Sequence, residues 1–258
     1  MSRRRLIAGN WKMNKTPEET AAFIEAFLPR VHDSLDVEVL VIPPFTSLEP
    51  AGRKLAGTPI GLGAQDLHQE ASGAYTGAVS AAMLVGCECR YVLVGHSERR
   101  HVFGEDDEVV RRKLGAALDA DLLPILCVGE TLEQRRAGRT EDVYSRQLST
   151  ALEGIEVGSI SRIVIAYEPV WAIGTSETAT PEQAQETIAG IRGWLATRFD
   201  ETTAEGVRIL YGGSVKPENA GALVALPDVD GALVGGASLD PGAFAAIVEA
   251  GREGGTGR

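Results

Sequence analysis

Residues 162–183 read RIVIAYEPVWAIGTSETATPEQ, and two structural signals stand side by side in them. From Arg162 to Tyr167 the chain is almost unbroken apolar, the composition of a strand buried on both faces. Thr180-Pro181-Glu182-Gln183 then offers an N-cap threonine, a proline at the first helical position and a capping-box glutamine. Ile188, Ile191 and Leu195 follow at helical spacing on one face. Between strand and helix lies a lone carboxylate, Glu168, and an oily loop in which Trp171 and Ile173 are expected to be exposed. Exposed apolar residues beside a single acid are wasteful in a purely structural segment.

The same unit recurs along the whole chain. Strand-type apolar runs fall at 6–11, 37–44, 60–66, 90–98, 123–130, 162–169, 207–215 and 229–236. Thr16-Pro17-Glu18-Glu19 repeats the helix-start signature ahead of Phe23, Ile24, Phe27, Leu28 and Val31. Further helices are predicted at about 46–56, 79–86, 106–120, 131–153, 217–226 and 240–250. Strict alternation of parallel strands and helices leads to an open doubly wound sheet or a closed barrel. Eight equal units in about 250 residues select the α/β class and one closed (β/α)8 barrel with parallel strands. No linker or shift in composition divides the chain, so residues 1–258 are read as a single domain, with GREGGTGR as a frayed tail.

Composition narrows the function. The 258 residues are 44% hydrophobic and 24% charged and carry a net charge of −11. Such an acidic balance argues against nucleic-acid binding, which needs a basic surface. No segment is apolar enough for a membrane span, and MSRRRLIAGN has no apolar signal region, so a cytoplasmic protein is expected. Cys87, Cys89 and Cys127 are too few and too irregular for a disulfide framework and are read as reduced packing residues. His32, His68, His96 and His101 lack metal-ligand spacing, and His32 and His68 are read as surface or loop residues. No dinucleotide-binding glycine fingerprint follows the first strand. Cofactor-free proton transfer is therefore favoured over hydride transfer.

In a (β/α)8 barrel the active site lies at the C-terminal ends of the strands. Those ends carry Asn10-Trp11-Lys12, His96-Ser97-Glu98, Glu168, Gly212-Gly213-Ser214 and Gly235-Gly236. Singly, each has a plain explanation: a solvated lysine, a hydrogen-bonded rim histidine, an ion-paired glutamate, glycines in turns. Jointly they bring a base, an imidazole, a cation and two anion-binding turns to one rim. Glycine lets backbone N–H groups approach an anion that a Cβ would push away, and Lys12 adds positive potential. A small phosphorylated metabolite is the ligand class that fits.

Five blocks now stand in order along the chain: NWKMN at 10–14, GHSERR at 95–100, AYEPVWAIGT at 166–175, YGGSV at 211–215 and LVGGASL at 233–239. They closely resemble the motifs of the triosephosphate isomerase family, and the resemblance spans residue 5 to about 250. It implies interconversion of dihydroxyacetone phosphate and D-glyceraldehyde 3-phosphate through an enediolate, in glycolysis and gluconeogenesis. Glu168 is then the general base and His96 a neutral electrophile, with Lys12 and Asn10 supplying charge and orientation. Gly174, Ser214, Gly235 and Gly236 hold the phosphate, together with Asn10 and Lys12. A helix starting just past His96 disfavours the imidazolium form. Residues 169–179 become a flap whose oily tip excludes water from the intermediate.

Two departures from the family pattern stand out. Ser176-Glu177 replaces the usual Gly-Lys after IGT, giving a stiffer hinge of opposite charge. Ala78 replaces the acid of GAYTGE, which in the family pairs with a partner-subunit arginine matching Arg99. Thr76 is kept, so the resemblance still implies a homodimer through loop 72–79, with Tyr75 and Thr76 buried and that ion pair lost or replaced. Two other readings compete: another phosphate-binding barrel enzyme, or a non-catalytic barrel scaffold. A Schiff-base aldolase would need a lysine inside a strand, and no strand interior has one. Intact Asn10, Lys12, His96 and Glu168 argue against a scaffold.

Overall fold

The computed structural model describes residues 3–31, 36–173 and 178–253. Eight strands alternate with helices: β1 (Leu6–Asn10), β2 (Glu38–Ile42), β3 (Ile60–Ala64), β4 (Tyr91–Val94), β5 (Leu123–Val128), β6 (Val164–Tyr167), β7 (Arg208–Tyr211) and β8 (Gly231–Val234). Each pairs in parallel with its sequence neighbours, and β1 pairs with β8, which closes the barrel. Around it lie α1 (Pro17–Val31), α2 (Leu48–Leu55), α3 (Ala81–Gly86), α4 (Ser97–His101), α5 (Asp107–Asp119), α6 (Leu132–Arg136), α7 (Thr140–Ala151), α8 (Val157–Ile160), α9 (Pro181–Arg198), α10 (Glu201–Gly206), α11 (Pro217–Val224) and α12 (Pro241–Glu253). Among the described residues, no helix is long and apolar enough to cross a membrane.

All eight strands fall within the predicted runs, trimmed at their ends. Both predicted capping boxes form. Glu19 N–H donates to Thr16 Oγ1 (3.3 Å) while Thr16 N–H donates to Glu19 Oε2 (2.7 Å), and Thr180 and Gln183 exchange the same two bonds at the start of α9. The helix expected over 131–153 is two helices, α6 and α7. Gly138 between them takes a left-handed φ of 68°, which no helix interior accepts. Helix α4 starts just past His96, as expected. Helices α8 and α10 were not expected; with four and six residues, they are too short to show a period.

Period-two alternation decides what fills the barrel. Leu6, Ala8, Leu40, Ile42, Leu93, Ile125, Cys127, Val164, Ala166, Leu210 and Leu233 form one interior cluster. Their neighbours, such as Ile7, Val41, Val92, Leu126, Ile165 and Ile209, belong to the cluster shared with the helices. The inward positions of β3 are glycines for want of room. A Cβ at Gly61 would lie 2.5 Å from Leu40 Cδ2, and one at Gly63 would lie 3.0 Å from Ile42 Cγ1 and 3.4 Å from Tyr91 Cβ. Large residues on β2 and β4 occupy what β3 leaves empty, as close packing demands.

Polar groups close the N-terminal end of this interior. Arg208 at the start of β7 donates to Glu38 Oε2 (2.6 Å) and to the Tyr91 hydroxyl (2.8 Å), and that hydroxyl donates to Glu38 Oε1 (2.9 Å). Burial alone would raise the Glu38 pKa, but the Arg208 hydrogen bond and charge, with the Tyr91 hydroxyl, outweigh it and leave the carboxyl below its ordinary value. A depressed folded pKa means that the unfolded chain binds more protons. The stabilisation is thus complete above the unfolded glutamate value of about 4.3 and is lost as pH falls through the folded one. Glu38→Gln should lower stability near neutral pH by about 2 kcal/mol, the scale of hydrogen bonds to a charged group. It should also flatten the loss of stability below about pH 4.3. Urea midpoints from pH 3 to 7 measure both, and parallel pH profiles for the two proteins would remove Glu38 from the acid response.

Candidate active site

The inward columns continue past the apolar layer to the C-terminal rim. Asn10 stands two residues beyond Ala8, and Glu168 two beyond Ala166; both are buried. Alternation therefore aims both side chains inward, over a floor that includes Leu233.

Lys12 takes a left-handed conformation, φ 53°, which is costly for a residue with a Cβ. Two side chains hold it there. Its N–H donates to Asn10 Oδ1 (3.0 Å), and its carbonyl accepts from Gln65 Nε2 (2.8 Å), which also reaches the Ile42 carbonyl (3.1 Å). The Lys12 ammonium meets Glu98 Oε1 at 2.5 Å. The lysine read as adding positive potential is thus already paired within its own chain.

His96 caps α4. Its Nδ1 accepts the Glu98 N–H (3.2 Å), so that nitrogen carries no proton and the imidazole is neutral with its hydrogen on Nε2. Nε2 lies 3.0 Å from Glu168 Oε1, and the Ser97 N–H donates to Glu168 Oε2 at 2.7 Å. Imidazole and carboxylate are thereby locked face to face. Arg100 secures the loop, donating to the Gly95 carbonyl (2.8 Å), the Cys127 carbonyl (3.2 Å) and Asp107 (2.6 Å).

Glycines make room for Glu168. A Cβ at Gly129 would sit 1.8 Å from the Glu168 carbonyl oxygen, and one at Gly212 would lie 2.9 Å from Glu168 Cγ. Gly212, read from sequence as part of a phosphate turn, has this second and independent reason to be glycine. At Gly235 a Cβ would touch only Lys12 Cε, at 3.6 Å, and at Gly236 nothing within 4 Å, so that wall is open.

A cavity of about 390 Å³ unites these groups. Asn10, Lys12, His96, Glu168, Ser214, Gly235 and Gly236 all line it, with Ile173, Gly212, Gly213 and Lys216 beside them. Gly174 lies outside the described residues, as do Ser176, Glu177 and His32. The other predicted loop histidine, His68, is half-buried after β3 and packs its ring 4.1 Å from that of Tyr75. The cysteines are free, and Cys127 is buried in the barrel interior. Burial first, and then the Glu168 charge, push its thiol well above the ordinary value, so no thiolate serves the site.

The structure corrects one expectation. Trp171 is not an exposed lid residue: it packs against the core and donates its Nε1–H to Glu130 Oε1 at 3.0 Å. The same oxygen accepts Tyr167 Oη (3.1 Å) and Arg135 (3.0 Å), pinning the start of the flap. Ile173 is likewise half-buried and faces the cavity. Arg99, whose family ion pair was expected to be lost or replaced, has acids in its own chain, Glu105 at 2.5 Å and Asp66 at 3.3 Å, both also held by the buried Lys113 at 2.6 Å. Sequence reading missed Gln65, Glu98 as the partner of Lys12, the Ser97 N–H, Gly129, Glu130 and Lys216. Only Ser97 and Glu98 carried a signal, inside the GHSERR block.

Comparison with known proteins gives the same outline. The family model described as triosephosphate isomerase matches residues 5–251. The triosephosphate isomerase of Symbiobacterium thermophilum is 54% identical over 248 residues, covering 96% of this chain and 97% of that protein. That of Moorella thermoacetica is 54% identical over 246 residues, with 95% and 98% covered, and that of Roseiflexus sp. 54% over 243, with 94% and 96%. With almost the whole chain matched from its first strand to its last helix, the protein belongs to the triosephosphate isomerase family.

Proposed function

We propose that the chain interconverts dihydroxyacetone phosphate and D-glyceraldehyde 3-phosphate, with Glu168 and His96 as its acid–base pair. One observation carries the residue roles: a carboxylate and a neutral Nε2–H imidazole, 3.0 Å apart, face one cavity beside a lysine. Glu168 takes a proton from C1 of the ketone, and the C2 carbonyl becomes the oxygen of an enediolate. Return of that proton to C2, with transfer of the O1 hydroxyl proton to O2, yields the aldehyde. His96 donates its Nε2–H to the developing oxyanion, the place where fixed dipoles lower a barrier most. Lys12 and Asn10 orient and balance that charge. Lys12, Asn10, Gly174, Ser214, Gly235 and Gly236 hold the phosphate. We place this chemistry in one barrel domain over residues 1–258, in the cytoplasm, where the free Cys87, Cys89 and Cys127 suit a reducing compartment.

We also read the protein as a homodimer. Large exposed apolar side chains sit on the loops after four consecutive strands: Met13 after β1, Phe45 after β2, Tyr75 after β3, Val102 and Phe103 after β4. Met83 and Val85 in the unit after β3 add to them. Exposed apolar groups concentrated on one half of the rim mark an interaction surface. Loop 72–79 with Tyr75 and Thr76 belongs to it. Because Asp66 and Glu105 already answer Arg99, the absent acid at Ala78 leaves no unpaired cation at that contact.

Two measurements test these readings. Glu168→Asp withdraws the carboxylate by about 1 Å and should cost about 10²-fold in isomerisation with little change in substrate affinity. A turnover near that of the parent enzyme would remove Glu168 from the mechanism. Sedimentation of the unaltered chain at micromolar concentration should give a dimer, and shortening loop 72–79 should give monomers of low activity. A fully active parent monomer would sink the dimer.

A further inference from the structure

The charges lining the cavity do not share one condition. Lys12 is matched by Glu98 at 2.5 Å, and Glu168 is held by Ser97 N–H and His96. Lys216 lines the same cavity, is exposed, and makes no ion pair with any described residue. It is the one lining cation that nothing described neutralises.

Its position is built rather than incidental. Asn219, in the first turn of α11, accepts the Lys216 N–H on Oδ1 (2.8 Å) and donates Nδ2–H to the Ser214 carbonyl (3.0 Å). One side chain thereby brackets the turn 214–216 and keeps Lys216 on the wall shared with Gly212, Gly213, Gly235 and Gly236. Those four glycines give that wall no charged side chain of its own.

The rest of the molecule makes such a cation necessary. With a net charge of −11, the chain repels a phosphate dianion at long range. Lys12 and Glu98 nearly cancel, and Glu168 adds a negative charge, so without Lys216 the lining itself is acidic. Building on the triose-phosphate reading above, we propose that Lys216 draws the substrate phosphate into the cavity and favours phosphorylated trioses, acting in capture and not in proton transfer.

The test is the salt dependence of glyceraldehyde 3-phosphate turnover in the parent chain, Lys216→Met and Lys216→Arg. At about 10 mM ionic strength the Debye length is about 30 Å, and at about 1 M it is about 3 Å. Lys216→Met should lower kcat/KM about three- to ten-fold at low salt, the low end of electrostatic steering, and the gap should close at high salt. The loss should fall on KM and not on kcat, Lys216→Arg should restore it, and inorganic phosphate should inhibit the Met variant more weakly. An active parent enzyme with an unchanged kcat/KM in Lys216→Met at low salt would overturn the proposal and leave the function intact. A loss in kcat that ignores salt, or that Arg does not rescue, would also overturn it, as a structural effect. A parent chain inactive on both trioses, yet binding inorganic phosphate in a Lys216-dependent way, would overturn the function and keep the capture role.

Discussion

A closed parallel barrel has one interior, and every second residue of every strand must fit in it. That constraint governs the rest of this molecule. Leu40 and Ile42 fit because β3 presents Gly61 and Gly63, and the filled layer leaves no slack to turn a strand by one residue. The same unbroken alternation carries Asn10 and Glu168 to the rim pointing inward. The functional side chains are thus extensions of the packing pattern, and their aim is as fixed as the core beneath them. At the other end the pattern delivers Glu38 and Arg208, which close the barrel with a hydrogen-bonded ion pair.

An apolar floor makes the site electrostatically strong and also demanding. A buried carboxylate without partners is costly, and Glu168 is accordingly given the Ser97 N–H and the His96 imidazole. In the proposed mechanism the Ser97 bond competes with catalysis, because a base needs a free oxygen at the substrate carbon. A held but replaceable partner meets both demands. Trp171 and Tyr167 both donate to Glu130, which anchors the chain where it leaves Glu168.

What was legible in the sequence follows from these facts. Strands buried on both faces announce themselves as apolar runs, and a Thr-Pro-Glu-Glu/Gln start is local chemistry, so β1–β8, α1 and α9 could be read directly. The strand ends then pointed to Asn10, Lys12, His96, Glu168, Ser214, Gly235 and Gly236, and all of these line the cavity. Partners were not legible. Glu98 answers Lys12 from 86 residues away, and Asp66 answers Arg99 across the β3–β4 unit; neither choice leaves a periodic trace. Gly129 looked like an ordinary turn residue until the Glu168 carbonyl appeared beside it. Trp171 looked exposed because its surroundings in sequence are a loop, while its hydrogen-bond acceptor lies 41 residues earlier.

The arrangement of charge resolves how an acidic protein can work on a doubly charged anion. Inside the cavity the ionic groups are stored with partners, Lys12 with Glu98 and Glu168 with neutral donors, so their desolvation is offset before any substrate enters. On the proposed reading, a phosphate or an enediolate exchanges one partner for another instead of requiring a naked buried charge. An unpaired cation is cheap only where water still solvates it, and the exposed rim is such a place. Lys216 stands there, on a turn fixed by Asn219, while the matched pairs stand deeper. Lys12 and Glu98 keep part of their solvation, and only the Glu168 carboxylate, with its two donors, is buried.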